Sequence, residues 1–289
     1  MIGSTSLSSV QANRLPKDDE DKKQAEYEAL LAVFVRFIES HANETDSQEI
    51  LEELMNLRAD FLIQHALSGF DIDYDEALEM LRNAEGINDE QSAKRNIIVA
   101  AVDNLIDFAV AEEYQMAREL PSFDDEEFDE DDYEEIFGKY NKRYAEVENS
   151  DAEYAMIIAA GLIGVADSTM LTYMTQGDER VRPWHLQYEG FTAPKSQFPA
   201  WLIPPIEHQC RCYLVEDNIV GMAKGVKNAV MKVPTMPDWF NRTFKESVAL
   251  GGRIFSDEHP YFTVDSRDED SLRDRSEEHT SELQSPVPI

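Results

Sequence analysis

The sequence contains few cysteines and no long apolar run. Cys210 and Cys212 are its only cysteines. Two thiols this close in an extended strand cannot readily bond to each other, so a disulfide scaffold is excluded and a reducing compartment is expected. There is no apolar leader and no run of about 18 apolar residues, so the sequence predicts neither a signal peptide nor a membrane span.

Basic residues are also scarce. The chain has 26 Lys and Arg against 59 Asp and Glu, which gives a formal net charge of −33. A surface that binds nucleic acid neutralises phosphates with clustered Lys and Arg. The composition therefore excludes a general nucleic-acid-binding surface, and contact with DNA is expected to be local at most.

The sequence does have enough apolar residues to build a core. Of its 289 residues 42% are hydrophobic and 10% aromatic, which suits one large or two ordinary domains. Residues 1–20 are Ser-rich and then charged, and they predict a disordered arm. Residues 21–120 predict a helical domain, because apolar side chains recur there at helical spacing. Its helices are expected at Lys22–His41, from the Asp46 and Ser47 cap to Gly69, at Asp75–Asn83 and at Glu90–Leu120.

A strongly acidic run separates this domain from the rest of the chain. Ten of the 14 residues from 122 to 135 are acidic. Because like charges repel, residues 121–135 are predicted to form an extended, solvated linker. Phe123, Phe128 and Tyr133 are interleaved with the acids and keep a second interpretation open. In that interpretation the run is an acidic arm that mimics DNA or binds cations or a basic partner.

The second half of the chain predicts fewer helices. One is expected at Glu134–Val147, and the mostly apolar stretch Asp151–Met174 predicts a buried central helix that leads directly into Asp178. Asp238–Leu250 predicts an amphipathic helix, and residues 253–264 predict a strand, a turn and a strand. The expected fold is α+β and predominantly α-helical, with a helical N-terminal half and a small C-terminal α+β module.

The end of the chain differs from the rest in composition. Residues 266–289 predict a disordered tail. Within it, Arg275–Pro286 resembles the in-frame translation of a common sequencing adapter, so residues 275–289 are interpreted as an artefact and not as part of the fold. A natural C-terminal continuation is then expected to be missing.

The stretch Asp178–Val215 concentrates the unusual residue types. Asp178, Arg182 and His185 have the spacing of side chains that share one face of a helix or turn, where the acid can hold the Arg or the His. Prolines then favour an extended crossover from Gly190 to Pro205. Beyond it, Cys210 and Cys212 alternate as in a strand and point to the same side. The crossover is therefore expected to return the thiols to the Asp/Arg/His turn.

This ordered set of residues resembles the phage head morphogenesis family, the Mu F-like minor head proteins. The resemblance covers some 35 positions, or residues 136–265 if the flanking segments belong to the same module. The residues that carry it are Asp178, Arg182, His185, Gly190, Pro194, Pro204, Pro205, Cys210, Arg211 and Cys212.

The resemblance implies a non-enzymatic minor component of the phage head. Such a protein lies inside the virion, associates with the portal protein and the packaged genome, and assists head morphogenesis or genome delivery. Capsid or scaffolding protein would be a further partner, and assembly would take place in the cytoplasm of the bacterial host. The rival class is an enzyme, either a metal-dependent hydrolase or a toxin-like effector whose C-terminal domain is truncated.

Three interpretations of the thiols follow from their chemistry. Cys210, Cys212, His185 and His208 offer the ligand types that Zn²⁺ prefers, which predicts a zinc site. Alternatively, Asp178, Arg182 and His185 form a buried polar network that pins the crossover, and the thiols pack as small apolar groups without any cofactor. Cys, His and Asp are also the components of a thiol nucleophile site.

Overall fold

A computed structural model describes residues 19–42, 47–82, 88–121, 130–216 and 233–263. The elements in chain order are α1 (Asp19–Ala42), α2 (Gln48–Gly69), α3 (Tyr74–Arg82), α4 (Asp89–Glu119), α5 (Glu130–Gly138), a π-helical turn (Lys139–Tyr144), α6 (Ala145–Leu162), β1 (Met170–Met174), β2 (Thr192–Pro194) and β3 (Tyr213–Glu216). Short 3₁₀ turns connect and follow the strands. The fold is therefore helical α+β, as predicted.

Helices α1 to α4 lie within a few residues of their predicted positions. Their apolar stripes are buried, as Leu54, Leu62 and Leu105 illustrate. The start of α4 is fixed by a capping box, in which the Asn88 side chain accepts from the backbone N–H of Gln91 and the Gln91 side chain accepts from that of Asn88. Residues 1–18 of the predicted arm lie outside the described residues, and residues 19 and 20 belong to α1.

Helix α5 begins inside the acidic run that was predicted to be a linker. Residues 130–135 are helical, whereas residues 122–129 lie outside the described part of the chain. From Glu130 the chain continues through the π-helical turn and α6 to Leu162. Glu119 holds this arrangement at its start, since it accepts hydrogen bonds from the Lys139 ammonium and the Tyr140 hydroxyl.

The prediction of one helix over Asp151–Met174 is wrong. Helix α6 ends at Leu162, and a turn leads into β1 at Met170. Lys195 closes the end of the helix, because its ammonium donates to the carbonyl oxygens of Leu162 and Val165, each at 2.9 Å. The stretch that leads into Asp178 is thus a strand and not a helix.

The three strands form one antiparallel sheet in the order β2-β1-β3. In its register, Thr172 of β1 pairs with Thr192 of β2 and with Val215 of β3. The inward side chains Leu171, Tyr173 and Leu214 are almost fully buried. Because β1 pairs antiparallel with β3 and Met174 lies opposite Tyr213, the segment that follows β1 lies next to the segment that precedes β3.

The predictions for residues 238–264 are also wrong. Phe240, Phe244 and Val248 are buried at helical spacing, but the backbone there forms the 3₁₀ turns Arg242–Phe244 and Val248–Leu250. Residues 253–263 contain no strand and end in a third turn, Pro260–Phe262. Asn104 of α4 holds this segment: its side chain accepts from the backbone N–H groups of Ile254 and Phe255 and donates to the Phe255 carbonyl.

Helix α2 packs between α4 and α6, so one apolar core extends across both halves of the chain. At Gly69 the helices come so close that an added Cβ would lie 2.1 Å from the Glu153 carbonyl oxygen. No helix in the described part of the chain is long and apolar enough to cross a membrane. The division into a domain of residues 21–120 and a module of residues 136–265 stays a prediction, and no gap in the core marks it.

A charged cluster lies inside this core. The Arg58 guanidinium is 1% exposed and donates to Glu112 at 2.8 Å, to Glu148 at 3.0 Å and to the Asn149 side chain at 2.7 Å. Glu113 is buried beside it and accepts from Asn141 at 3.2 Å. Three carboxyl groups therefore surround one guanidinium away from solvent.

Candidate functional site

The candidate site lies where two segments meet beside the sheet. We call residues 178–188 the histidine turn and residues 207–212 the thiol loop. The turn follows β1, and the loop leads into β3. The Arg182 guanidinium donates to the carbonyl oxygen of His208 at 2.9 Å, so the two segments are joined directly.

Asp178 does not hold Arg182 or His185 as its spacing predicted. Its carboxylate accepts two hydrogen bonds from Arg211 of the thiol loop, at 2.6 and 2.7 Å. The hydrogen bond from Arg211 lowers the pKa of Asp178. The chain between them folds back, so the partner of Asp178 is 33 residues away in sequence and not in the same turn.

Glu207 holds the histidine turn, a role that no spacing in the sequence predicts. Its Oε2 lies 3.1 Å from Arg182 Nε, 3.1 Å from Trp184 Nε1 and 3.2 Å from His185 Nε2. Burial acts to raise the pKa of Glu207, but the hydrogen bond from His185 and the charge of Arg182 outweigh it and lower that pKa. The only signal in the sequence was an acid beside His208 in an otherwise apolar and cysteine-bearing segment.

His185, Cys210 and Cys212 form a compact buried group. His185 Nδ1 lies 3.2 Å from Cys212 Sγ and 4.0 Å from Cys210 Sγ. One ligand atom from each of the three lies within 4.8 Å of the others. The exposed fractions are 2% for His185, 1% for Cys210 and 2% for Cys212. The chain therefore brings together three of the four predicted zinc ligands.

His208, the fourth predicted ligand, is not in this group. Its Nδ1 lies 3.0 Å from an Asp151 carboxylate oxygen, and the other oxygen of Asp151 accepts from the Gln209 backbone N–H at 2.7 Å. Asp151 therefore turns the His208 ring towards α6. No fourth His, Cys, Asp or Glu joins the group within the part of the chain that the structure describes.

The electrostatics distinguish the two thiols. Burial raises the pKa of Cys210, whereas a hydrogen bond from Cys210 lowers the pKa of Cys212 against the effect of burial. Burial also acts to lower the pKa of His185, but Cys210 and Glu207 outweigh it and raise that pKa. Cys212 is therefore the more acidic of the two thiols, and its Sγ is also the nearer one to the imidazole.

A buried hydroxyl lies beside the thiols. Tyr173 is fully buried, and its hydroxyl acts to lower the pKa of Cys212. Tyr154 of α6 donates to the Cys212 carbonyl oxygen at 2.6 Å and fixes the loop from the other side.

These residues fit a zinc ion. Two thiolates and one imidazole nitrogen are its preferred ligands, and three protein ligands leave one position for a water molecule. Glu207 on the other nitrogen of His185 fixes the orientation of the ring, as carboxylates commonly do for metal-bound histidines. Binding would require both thiols to be deprotonated, and the lowered pKa of Cys212 favours this.

The arrangement does not suit a thiol nucleophile. Cys212, His185 and Glu207 do stand in the order nucleophile, base and orienting acid, with Glu207 in the role predicted for Asp178. A nucleophile must reach a substrate, however, and both thiols and the imidazole are at most 2% exposed. The burial favours a structural role.

The remaining motif residues shape the backbone around the group. Gly190 has φ +80°, a left-handed conformation that favours glycine, and its N–H donates to the Tyr173 carbonyl at 2.8 Å. Pro194 pairs with Met170 in the sheet, and the bond from Pro204 to Pro205 is cis. The predicted extended crossover is interrupted by two 3₁₀ turns, Lys195–Gln197 and Ala200–Leu202.

The chain was compared with models of protein families, with curated proteins and with solved structures, and none of the three comparisons gave a match.

Proposed function

We propose that this protein is a minor phage head protein that associates with the portal inside the virion and assists head morphogenesis or genome delivery. We propose further that a zinc ion at His185, Cys210 and Cys212 stabilises the module that carries its motif. The convergence of these three buried side chains is the observation that best supports both proposals. The chain has only two cysteines, and the Sγ atoms of both lie within 4.0 Å of the same imidazole nitrogen.

The contacts among the motif residues support the family resemblance. Asp178 binds Arg211, Arg182 binds the thiol loop, and His185 contacts both thiols. Residues 25 to 33 positions apart in sequence thus act as one cross-linked unit. A chance similarity of spacing would not require these side chains to meet.

The exposure of the site supports an interaction protein over an enzyme. The chemistry-bearing side chains are buried, and the whole chain carries a formal net charge of −33. Such a charge repels packaged DNA and favours partners that are proteins, with contact to DNA at most local. Portal protein is the partner that the resemblance suggests, and capsid or scaffolding protein is a further one.

Metal content tests the zinc proposal. The purified protein should contain about one zinc ion per chain by mass spectrometry of the metal, and a chelator should lower its melting temperature. His185→Gln should lose the zinc, whereas His208→Gln is the matched control and should retain it. If the wild-type protein contains no zinc and the chelator leaves its melting temperature unchanged, the thiols are packed without metal.

Co-purification tests the proposal of a portal partner. The protein is produced together with the portal protein encoded in the same phage genome, and the portal rings are isolated by size. We expect the chain to elute with the rings, and His208→Gln to elute likewise. Absence of the chain from the ring fraction, in a preparation whose zinc content is normal, would reject the portal proposal and leave the zinc proposal standing.

A further inference from the structure

A second site lies on the other side of the thiol loop. A cavity of about 520 Å³ opens between α4, the π-helical turn, α6, the thiol loop and the last 3₁₀ turn. Its wall is made of aromatic rings, and we call it the aromatic cleft. The rings that line it are those of Tyr140, Tyr144, His208, His259 and Tyr261.

The five rings form a continuous series. The centroids of Tyr144 and Tyr140 are 5.6 Å apart, and those of Tyr140 and Tyr261 are 5.9 Å apart. Tyr261 lies 4.4 Å from His259, which lies 6.3 Å from His208. Aromatic faces arranged round a cavity attract a cation through their quadrupoles. Tyr144 is 40% exposed, so its end of the series is accessible from solvent, whereas Tyr140, His259 and Tyr261 are buried.

The protein already places one cation on these rings. The ammonium of Lys139 lies 5.0 Å from the centroid of Tyr140 and 5.9 Å from that of Tyr144. Its charge is balanced, because both oxygens of Glu119 accept from it, at 2.5 and 2.7 Å. Lys139 is the one lysine among the described residues that line the cleft, and because a carboxylate holds it, it is not presented to an anion.

His259 adds no positive charge to the cleft. Its Nδ1 atom accepts from the Tyr261 backbone N–H at 3.2 Å, and burial and His208 together lower its pKa to about 3. Beneath the rings, Glu148 accepts from the Tyr261 hydroxyl at 3.0 Å. The net charge of −33 would repel nucleotides and other phosphates.

We propose that the aromatic cleft binds the guanidinium or ammonium group of an arginine or lysine side chain from a basic segment of a protein partner. The aromatic faces supply the attraction, and the acidic molecule supplies the long-range field that brings a basic segment to it. The proposal does not depend on the zinc ion or on the portal as partner.

Small probes test the chemistry of the cleft. N-acetyl-arginine amide is titrated into the whole protein at physiological ionic strength, next to the citrulline analogue, which has the same shape without the charge. We expect the arginine probe to shift the NMR signals of the cleft residues, with an affinity at least about five-fold higher than that of the citrulline probe.

Three variants separate the cleft from the acidic surface. Tyr144→Ala should weaken arginine binding about two- to five-fold, and Lys139→Gln should strengthen it, because the ring faces and Glu119 then become available. Trp239→Ala is the matched control: it removes another aromatic ring, 57% exposed and outside the cleft lining, and should leave the affinity unchanged. Circular dichroism verifies the fold of each variant.

Several results would overturn the proposal. Equal affinity for the arginine and citrulline probes would show that charge is not recognised. Equal effects of Tyr144→Ala and Trp239→Ala, or signal shifts spread over the acidic helices, would show diffuse binding to the surface. Weaker binding in Lys139→Gln would show that Lys139 is a ligand contact and not a competitor.

Discussion

Glu113 is the side chain whose replacement tests the buried charge cluster most directly. Burial and the neighbouring Glu112 raise its pKa from 4.5 to about 8, and Arg58 and Asn141 only partly oppose this. Between pH 4.5 and about 8, Glu113 therefore keeps its proton in the folded protein and loses it in the unfolded chain. Stability from this group is fully present below pH 4.5 and is lost as the pH rises towards about 8.

The magnitude follows from the size of this window. Between the two pKa values, Glu113 is ionised in the unfolded chain and protonated in the folded protein. Each pH unit in this range lowers the free energy of unfolding by about 1.4 kcal/mol. A rise from about pH 5.5 to about 7.5 would therefore lower it by up to about 3 kcal/mol. Glu113→Gln keeps the shape and needs no proton, so at pH 7.5 it should be more stable than the wild type by about 1 to 3 kcal/mol.

Urea denaturation at several pH values measures this difference. The stability advantage of Glu113→Gln should shrink towards pH 5 and grow towards pH 8. Glu90→Gln, at an exposed position on the same helix, is the matched control and should not change the slope. A stability difference that is constant with pH, or one that favours the wild type at pH 8, would refute the assignment of a proton to Glu113.

Two further substitutions test the packing. Gly69→Ala should destabilise the protein by about 2 kcal/mol or more, because its Cβ would collide with the Glu153 carbonyl oxygen. The neighbouring Ser68→Ala serves as its control in thermal unfolding, and equal melting temperatures would contradict the close helix contact. Asn104→Ala should cost about 2 to 4 kcal/mol in urea denaturation, since it leaves three buried backbone groups around Phe255 unpaired. A loss below about 0.5 kcal/mol would show that these groups find other partners.

Much of the helical half could be predicted from the sequence, because its signals are local. Apolar side chains repeat at helical spacing over several turns, and Ser47, predicted as part of a cap, is the N-cap residue of α2. The prediction for Asp151–Met174 failed for a physical reason: a continuous apolar run suits a buried helix and a buried strand equally. The polar residues Asp167, Ser168 and Thr169 lie in the turn between α6 and β1.

The residues of the histidine and thiol group were predictable from the sequence, whereas the residues that pair with them were not. His185, Cys210 and Cys212 could be located from the sequence, because rare residue types are concentrated there at regular spacing. Spacing could not show that Asp178 binds Arg211 or that Glu207 orients His185, since these partners are set by how the crossover folds back. Arg58 was missed for a related reason, because a charge on a helix is ordinarily solvated and only tertiary packing buries it.

Helix α6 carries, on successive turns, the groups that fasten two distant parts of the molecule. Glu148 binds Arg58 in the core, Asp151 binds His208 and the Gln209 backbone, and Tyr154 binds the Cys212 carbonyl. A small rotation or translation of α6 would therefore displace the thiol groups of the candidate site as well as the charged cluster around Arg58. Release of the proposed zinc ion would then report a change in the position of this helix, and zinc content can be measured without a label on the protein.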